Sequence, residues 1–161
     1  MSSTSQVTTE ELAWAAGIVD GEGCIGLSKI SKCHWSLRLS VGNTDIRMLD
    51  KLKALFNGTI TLQNKKALHD KFSRDGYHRK PLWIWTVYGQ KAEDILILLV
   101  PYLVVKHEQA EIGIKSRRYL AAKRYIRTND PRYLEKIEYT EWLVRQLSYL
   151  KDNPVCPVQA K

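Results

Sequence analysis

Two carboxylates, Asp20 and Glu22, stand among glycines in Ala15-Ala16-Gly17-Ile18-Val19-Asp20-Gly21-Glu22-Gly23, where a helix reads as ending in a basic chain. The C-terminus of a helix is the negative end of its macrodipole, so a carboxylate there costs about 0.3–1 kcal/mol and a second adds repulsion. Asp20 can offset this by accepting hydrogen bonds from nearby backbone amides of the turn, a structural role. Glu22 has no such easy role. Where a polyanion docks, Glu22 repels phosphate unless a divalent cation stands between them. A hard cation held by carboxylate, water and phosphate oxygens is what Mg²⁺ prefers.

Composition supplies the polyanion. The 161 residues carry 25 Lys and Arg against 17 Asp and Glu, a net charge of +8, which favours nucleic acid as partner. A membrane fits less well. The longest apolar run, Ile95 to Val105, is broken by Pro101 and Tyr102 and is too short to span a bilayer, and the Ser/Thr-rich start lacks a signal peptide's apolar region. A soluble, intracellular protein of the cytoplasm or an organelle is expected, with no membrane partner. An apolar content of 44% is enough for a core, so residues 1–153 are expected to form one domain and 154–161 a flexible tail. Cys24, Cys33 and Cys156 are odd in number and lack C-x-x-C spacing, which supports neither a disulfide framework nor a zinc site.

The elements that position the carboxylates follow from local signals. Thr8-Thr9-Glu10-Glu11 has capping-box spacing and predicts a helix to about Asp20, ended by Gly21 and Gly23. Alternation predicts strands from Cys24 to Lys32, His34 to Asn43, Thr59 to Lys65 and Leu82 to Tyr88. Between the pairs, Asp45 caps a helix that Asn57-Gly58 stops. Lys91 to Val100 reads as a short apolar helix ended by Pro101, and two further helices, about His107 to Arg127 and Pro131 to Leu150, complete the order. The fold class predicted is α+β: tandem αββ units forming one four-stranded antiparallel sheet, helices on one face, and extra C-terminal helices.

The other sheet face is left bare. Alternation puts Ser28, Ile30, Ser36, Arg38, Ser40, Thr59, Thr61, Gln63 and Lys65 on it. Such side chains suit either an ordinary solvated face or one that enters a major groove and reads base edges. The long segment Lys66 to Lys80 adds Lys66, Lys71, Arg74, Arg79 and Lys80, cations suited to neutralising phosphates. A second basic group, Lys115, Arg117, Arg118, Lys123, Arg124 and Arg127, marks the penultimate helix and reads equally as a solvated face. Trp83 and Trp85 share one side of the last strand, Ile84 and Thr86 the other, and the pattern leaves open which side meets the partner.

The first helix carries a second clue. Ala13, Gly17 and Gly21 recur every fourth residue, so one stripe lacks bulk and admits another backbone closely. A symmetric partner helix brings two copies of Glu22 together.

The nine residues Ala15 to Gly23 resemble the motif of the LAGLIDADG homing endonucleases, matching Ala, Gly, Asp and the final Gly, with Ala15 in place of the usual Leu and Glu22 in place of the usual Asp. The motif occurs once, and in that family a single motif goes with a homodimer. The αββαββα order is also that family's core. The resemblance implies that Glu22 binds the catalytic divalent metal, Mg²⁺ with Mn²⁺ as a substitute, and that the Gly21 carbonyl joins it. It implies further that Asn43 positions water or metal, that Arg47 belongs to the solvent pocket, and that Lys106, within Leu99 to Ala110, orders the water network. An ordinary solvated lysine at a helix start is the other reading of Lys106.

Together these expect a homodimeric, metal-dependent endonuclease that cuts double-stranded DNA at a long, partly palindromic site, as intron homing requires. A non-cutting RNA- or DNA-binding module on the same scaffold, such as a maturase or regulator, is the alternative. A basic structural protein leaves Gly21-Glu22-Gly23 unexplained.

Overall fold

The computed structural model describes residues 7–31, 34–63, 80–124, 126–127 and 129–153. The elements run α1 (Thr9–Glu22), β1 (Gly23–Ser31), β2 (His34–Asn43), α2 (Ile46–Phe56), β3 (Thr59–Leu62), β4 (Trp83–Tyr88), α3 (Gly89–Leu99), a 3-10 turn (Val100–Tyr102), α4 (His107–Ala122) and α5 (Arg132–Asp152). The αββαββα order with added C-terminal helices stands as predicted. The four strands form one antiparallel sheet in the order β1-β2-β4-β3.

The starts and stops have local causes. Thr8 Oγ1 accepts from the Glu11 amide at 3.3 Å while Glu11 returns a carboxylate to the Thr8 amide at 2.9 Å, the reciprocal box that opens α1. Asp45 caps α2 by accepting from the Arg47 amide at 3.0 Å. Asn57 and Gly58, at φ 57° and 106°, end α2 in the left-handed region. Where the structure departs from the sequence reading, packing decides. Gly21 does not end α1, which continues through Glu22. Gly23 ends it by turning to extended backbone (φ −79°, ψ 154°) while its amide still donates to the Val19 carbonyl, and glycine is required there because a Cβ would meet that oxygen at 2.5 Å. α3 begins at Gly89 rather than Lys91, and α4 stops at Ala122 rather than Arg127.

Register sorts the strands into two faces. Ile25 pairs with Leu39, Leu39 with Val87, and Val41 with Trp85, all turned toward the helices and all 3% exposed or less. Leu49 and Leu52 of α2 and Leu96 and Leu99 of α3 close over them. Gly113 lets α4 press onto the sheet, since a Cβ there would stand 3.1 Å from both Ile25 and Leu37. Trp85 thus belongs wholly to the core, with Trp83 packed against it, which settles the side of β4 left for a partner: Ile84, Thr86 and the half-exposed Tyr88.

The corner at Asn57-Gly58 is tied to that core. Trp85 Nε1 donates to the Asn57 carbonyl at 2.6 Å, and a Cβ on Gly58 would fall 2.6 Å from the same nitrogen at a φ that L side chains rarely adopt. Gly58→Ala is therefore expected to lower the unfolding free energy by about 2–4 kcal/mol, read as a drop in the urea midpoint at unchanged slope.

Candidate functional site

At the last turn of α1 the two acids part company. Asp20 does not bond the turn it sits in, as its spacing suggested. Its carboxylate reaches a segment more than eighty positions on, accepting from the amides of Val104 (2.8 Å), Val105 (3.2 Å) and Lys106 (2.9 Å), the residues that lead into α4. A helix N-terminus is rich in unpaired donors and carries the positive end of the dipole, so this anion offsets the unfavourable field at the end of α1. The Lys106 ammonium returns the contact by donating to the Asp20 backbone carbonyl. Burial pushes the Lys106 pKa below the usual lysine value, against the opposing pull of the negative charge at Asp20, with Cys24 and Glu22 pulling the same way.

Glu22 is exposed, and no hydrogen bond or ion pair engages its carboxylate among the described residues. Beside it the Gly21 carbonyl lies in the final turn, where carbonyls lack helical donors. These oxygens suit a hard cation. One chain alone is an incomplete cage: among the described residues no group of three or more His, Cys, Asp or Glu side chains converges. Mg²⁺ is commonly held by one or two carboxylates with waters and substrate phosphates, so this donor set fits it.

The small-residue stripe is open. Ala13, Gly17 and Gly21 are all exposed, and a Cβ added at Gly17 or Gly21 would meet nothing within 4 Å. Packing within the chain therefore gives no reason for glycine at either position. Ala15, Ala16 and Val19, on the opposite side of α1, are fully buried.

The open sheet face gathers most of the residues read from alternation. Ser28 pairs with Ser36, Ser40 with Thr86, Thr86 with Thr59, and Arg38 lies between Gly26 and Tyr88. Arg38 Nε is buried there without a hydrogen-bond acceptor among the described residues. Thr61 and Gln63 continue the face, both exposed, and Gln63 holds its place by donating its amide to the Leu82 carbonyl at 2.9 Å. Ile30 sits at the register shift between Lys29 and Ser31 and turns toward α4. Lys80 is exposed, while Lys65, Lys66, Lys71, Arg74 and Arg79 lie outside the described residues. Thr86, Tyr88 and Lys151 are additions. Lys151, at the end of α5, brings its ammonium to 3.3 Å from Cys24 Sγ, two positions past Glu22.

Asn43 ends β2 two residues past the Gly23–Val41 pair, at the same end of the sheet as Glu22, and Arg47 lies in the first turn of α2. The Asn43 side chain accepts from the Asp45 amide at 2.8 Å. Arg47 forks onto Asp45 with Nε at 3.0 Å and Nη2 at 2.5 Å, which lowers the Asp45 pKa to about 2 and raises that of Arg47. Both residues thus shape the β2–α2 corner. Of the basic group on α4, Arg118 pairs with the buried Glu93 at 2.8 Å and Arg117 bonds Gln90 at 3.2 Å.

No protein-family model and no curated protein matches the chain. Solved structures do. The homing endonuclease I-CvuI, crystallised with DNA in the presence of Mg or Ca, superposes at a TM-score of 0.66 with 23% identity over 89% of this chain and 83% of its own. An archaeal intron-encoded homing endonuclease complexed with DNA gives 0.64 at 13% identity over 86% and 82%. The LAGLIDADG homing endonuclease I-GzeII, bound to its DNA target, gives 0.62 at 16% identity over 88% of this chain and 48% of its own. The chain has the fold of the LAGLIDADG homing endonucleases. No helix among the described residues is long and apolar enough to cross a membrane.

The clamp at Asp20 makes two outcomes measurable. Asp20→Ala strands three amides and is expected to cost about 2–3 kcal/mol in urea unfolding. Because the Asp20 charge raises the Lys106 pKa, its loss should move the Lys106 titration, followed by NMR, further below the ordinary lysine value.

Proposed function

We propose that the chain is a LAGLIDADG homing endonuclease, a divalent-metal-dependent enzyme that hydrolyses one phosphodiester on each strand of a long, partly palindromic DNA site as a homodimer. One observation carries the reading: among the described residues Glu22 has no partner where the exposed Ala13, Gly17 and Gly21 stripe meets the head of an open polar sheet, near the ammonium of Lys106. A second copy crossing at the stripe supplies the second Glu22, and the two sheets then track two half-sites. The match to most of I-CvuI but about half of I-GzeII supports a unit that works as one of two copies.

Glu22 and the Gly21 carbonyl hold the cation. Bound Mg²⁺, or Mn²⁺ in its place, supplies a Lewis acid for phosphate and a more acidic water. Lys106, pinned on the Asp20 carbonyl, places a positive charge where negative charge develops on the phosphate. The hydroxyls of Ser28, Ser36, Thr59, Thr61 and Thr86 and the Arg38 guanidinium face the base edges, with Tyr88 and Ile84 available for apolar contact, while Ser40 on the same face is buried. A non-cleaving binding module on this scaffold leaves the unpaired carboxylate without a role.

The decisive experiment incubates the protein with DNA spanning the insertion site of its gene. Wild type is expected to cut both strands in Mg²⁺. Glu22→Gln should cut slower by on the order of 10³ or more, the scale of losing an essential electrostatic group, while binding persists in Ca²⁺. Binding of structured RNA with no DNA cleavage overturns the reading. By gel filtration the wild type should run as a dimer and Gly17→Leu as a monomer, since a branched side chain at the stripe keeps the helices apart.

A further inference from the structure

β1 is an edge strand of the sheet, and Gly26 leaves one of its positions on the open face without a side chain. Register with β2 sets Cys24 opposite Ser40 and Gly26 opposite Arg38, while Ile25 and Leu27 turn to the helices. What occupies the place above Gly26 comes from outside the sheet. Lys151, in the last turn of α5, reaches over the edge of β1 and sets its ammonium 3.3 Å from Cys24 Sγ and 3.5 Å from where a Gly26 Cβ would stand. The helix end that carries it is fixed. Leu143 and Leu147 of α5 are buried, and the buried Gln109 side chain of α4 donates to the Leu150 carbonyl at 3.4 Å.

The two cations flanking this notch have donors to give. An ammonium has three, and among the described residues Lys151 has one hydrogen-bond partner, a thiol sulfur that is a weak acceptor. Across the notch Arg38 Nε is buried without an acceptor among the described residues. Groups that donate and cannot accept select a base edge presenting two acceptors, which in the major groove is guanine O6 and N7. The ammonium sits over the strand, at a side-chain position in line with Ser28, and not beyond the sheet edge where a duplex backbone would pass. We infer that Lys151 is a specificity-determining residue: supplied by α5 in place of a side chain at position 26, it reads a guanine beside Arg38. Gly26 lies about 13 Å of strand past Glu22, so that guanine falls within roughly four base pairs of the cut. This rests on the endonuclease reading, in which the open face enters the major groove.

The test measures binding in Ca²⁺ to the insertion-site duplex and to variants of it, each with one base pair changed close to the cut. Wild type should prefer guanine at one such position by on the order of ten-fold, the scale of one specific base contact. Lys151→Met should flatten that preference while sparing those at other positions, and Lys151→Arg should keep it. Lys151 is exposed, so removing its charge leaves the fold intact. Gly26→Ile, whose branched side chain claims the space of the ammonium, should flatten the same preference; Gly26→Ala, whose Cβ meets the ammonium at an ordinary contact distance, should not. Three results overturn the proposal. A Lys151→Met protein that weakens on every duplex equally marks a phosphate contact. One that cuts more slowly in Mg²⁺ with its base preferences intact marks a role in the chemistry alone. Absence of a guanine preference near the cut, or one that Lys151→Met leaves unchanged, marks no base contact. In each case the endonuclease reading stands so long as wild type cuts in Mg²⁺ and Glu22→Gln does not. If wild type neither binds nor cuts the duplex, both fail.

Discussion

The grip of the Asp20 carboxylate on the amides of Val104, Val105 and Lys106 is the constraint on which the site depends. It joins the end of α1 to the entry of α4 across more than eighty positions of chain. It also resolves the electrostatic conflict at the helix end, where one anion now faces the positive end of another helix. With Asp20 spoken for, Glu22 is the carboxylate that remains for chemistry. The reciprocal contact from Lys106 to the Asp20 carbonyl places an ammonium at the same spot, so a cation and an available anion are held side by side by one short turn. Neither position is a property of α1 alone.

The second constraint is register. With one residue of slip in β2, Leu37, Leu39 and Val41 would exchange faces with Ser36, Arg38 and Ser40, so the burial of the first set against the helices fixes the second on the opposite face, where Ser36 and Arg38 are half-buried and Ser40 is buried. Trp85 anchors the same register in β4, buried completely and bonded through its indole to the Asn57 carbonyl. The reading face therefore costs no separate design: it is what remains when the core chooses its side. A polar face so produced has the spacing of a strand, and twist carries it along a groove.

How much of this could be read in the sequence divides along the range of the interactions. The capping box at Thr8, the Asp45 cap, the Asn57-Gly58 stop and the alternation of β2 are local signals, and each element they announce is present. The order of elements followed, and with it the fold. The partners of Asp20 lie too far along the chain for spacing to reveal them, although the composition of the motif already singled out the residue. Gly21 looked like a helix stop but keeps helical geometry; the helix stops where Gly23 turns to extended backbone, at ψ 154°, so close to Val19 that no Cβ fits. The resemblance that singled out Asn43 and Arg47 does not specify their local contacts, and both bond Asp45 at the β2–α2 corner. The face of β4 was undecidable because both of its sides carry apolar residues, and only the sheet order shows which of them the helices cover.

Polar groups left without partners mark where this chain departs from the rules that its core obeys. Among the described residues the Arg38 Nε on the open face is buried without an acceptor, and no hydrogen bond or ion pair engages the exposed Glu22 carboxylate. A buried donor left unpaired costs more than an apolar substitute of the same shape. Glu22 stands at the head of β1 and Arg38 midway along β2, on the sheet that the helices leave open. Under the proposed function the sign of each fits: a carboxylate where a cation would bridge to phosphate, and a donor where bases and phosphates would offer acceptors.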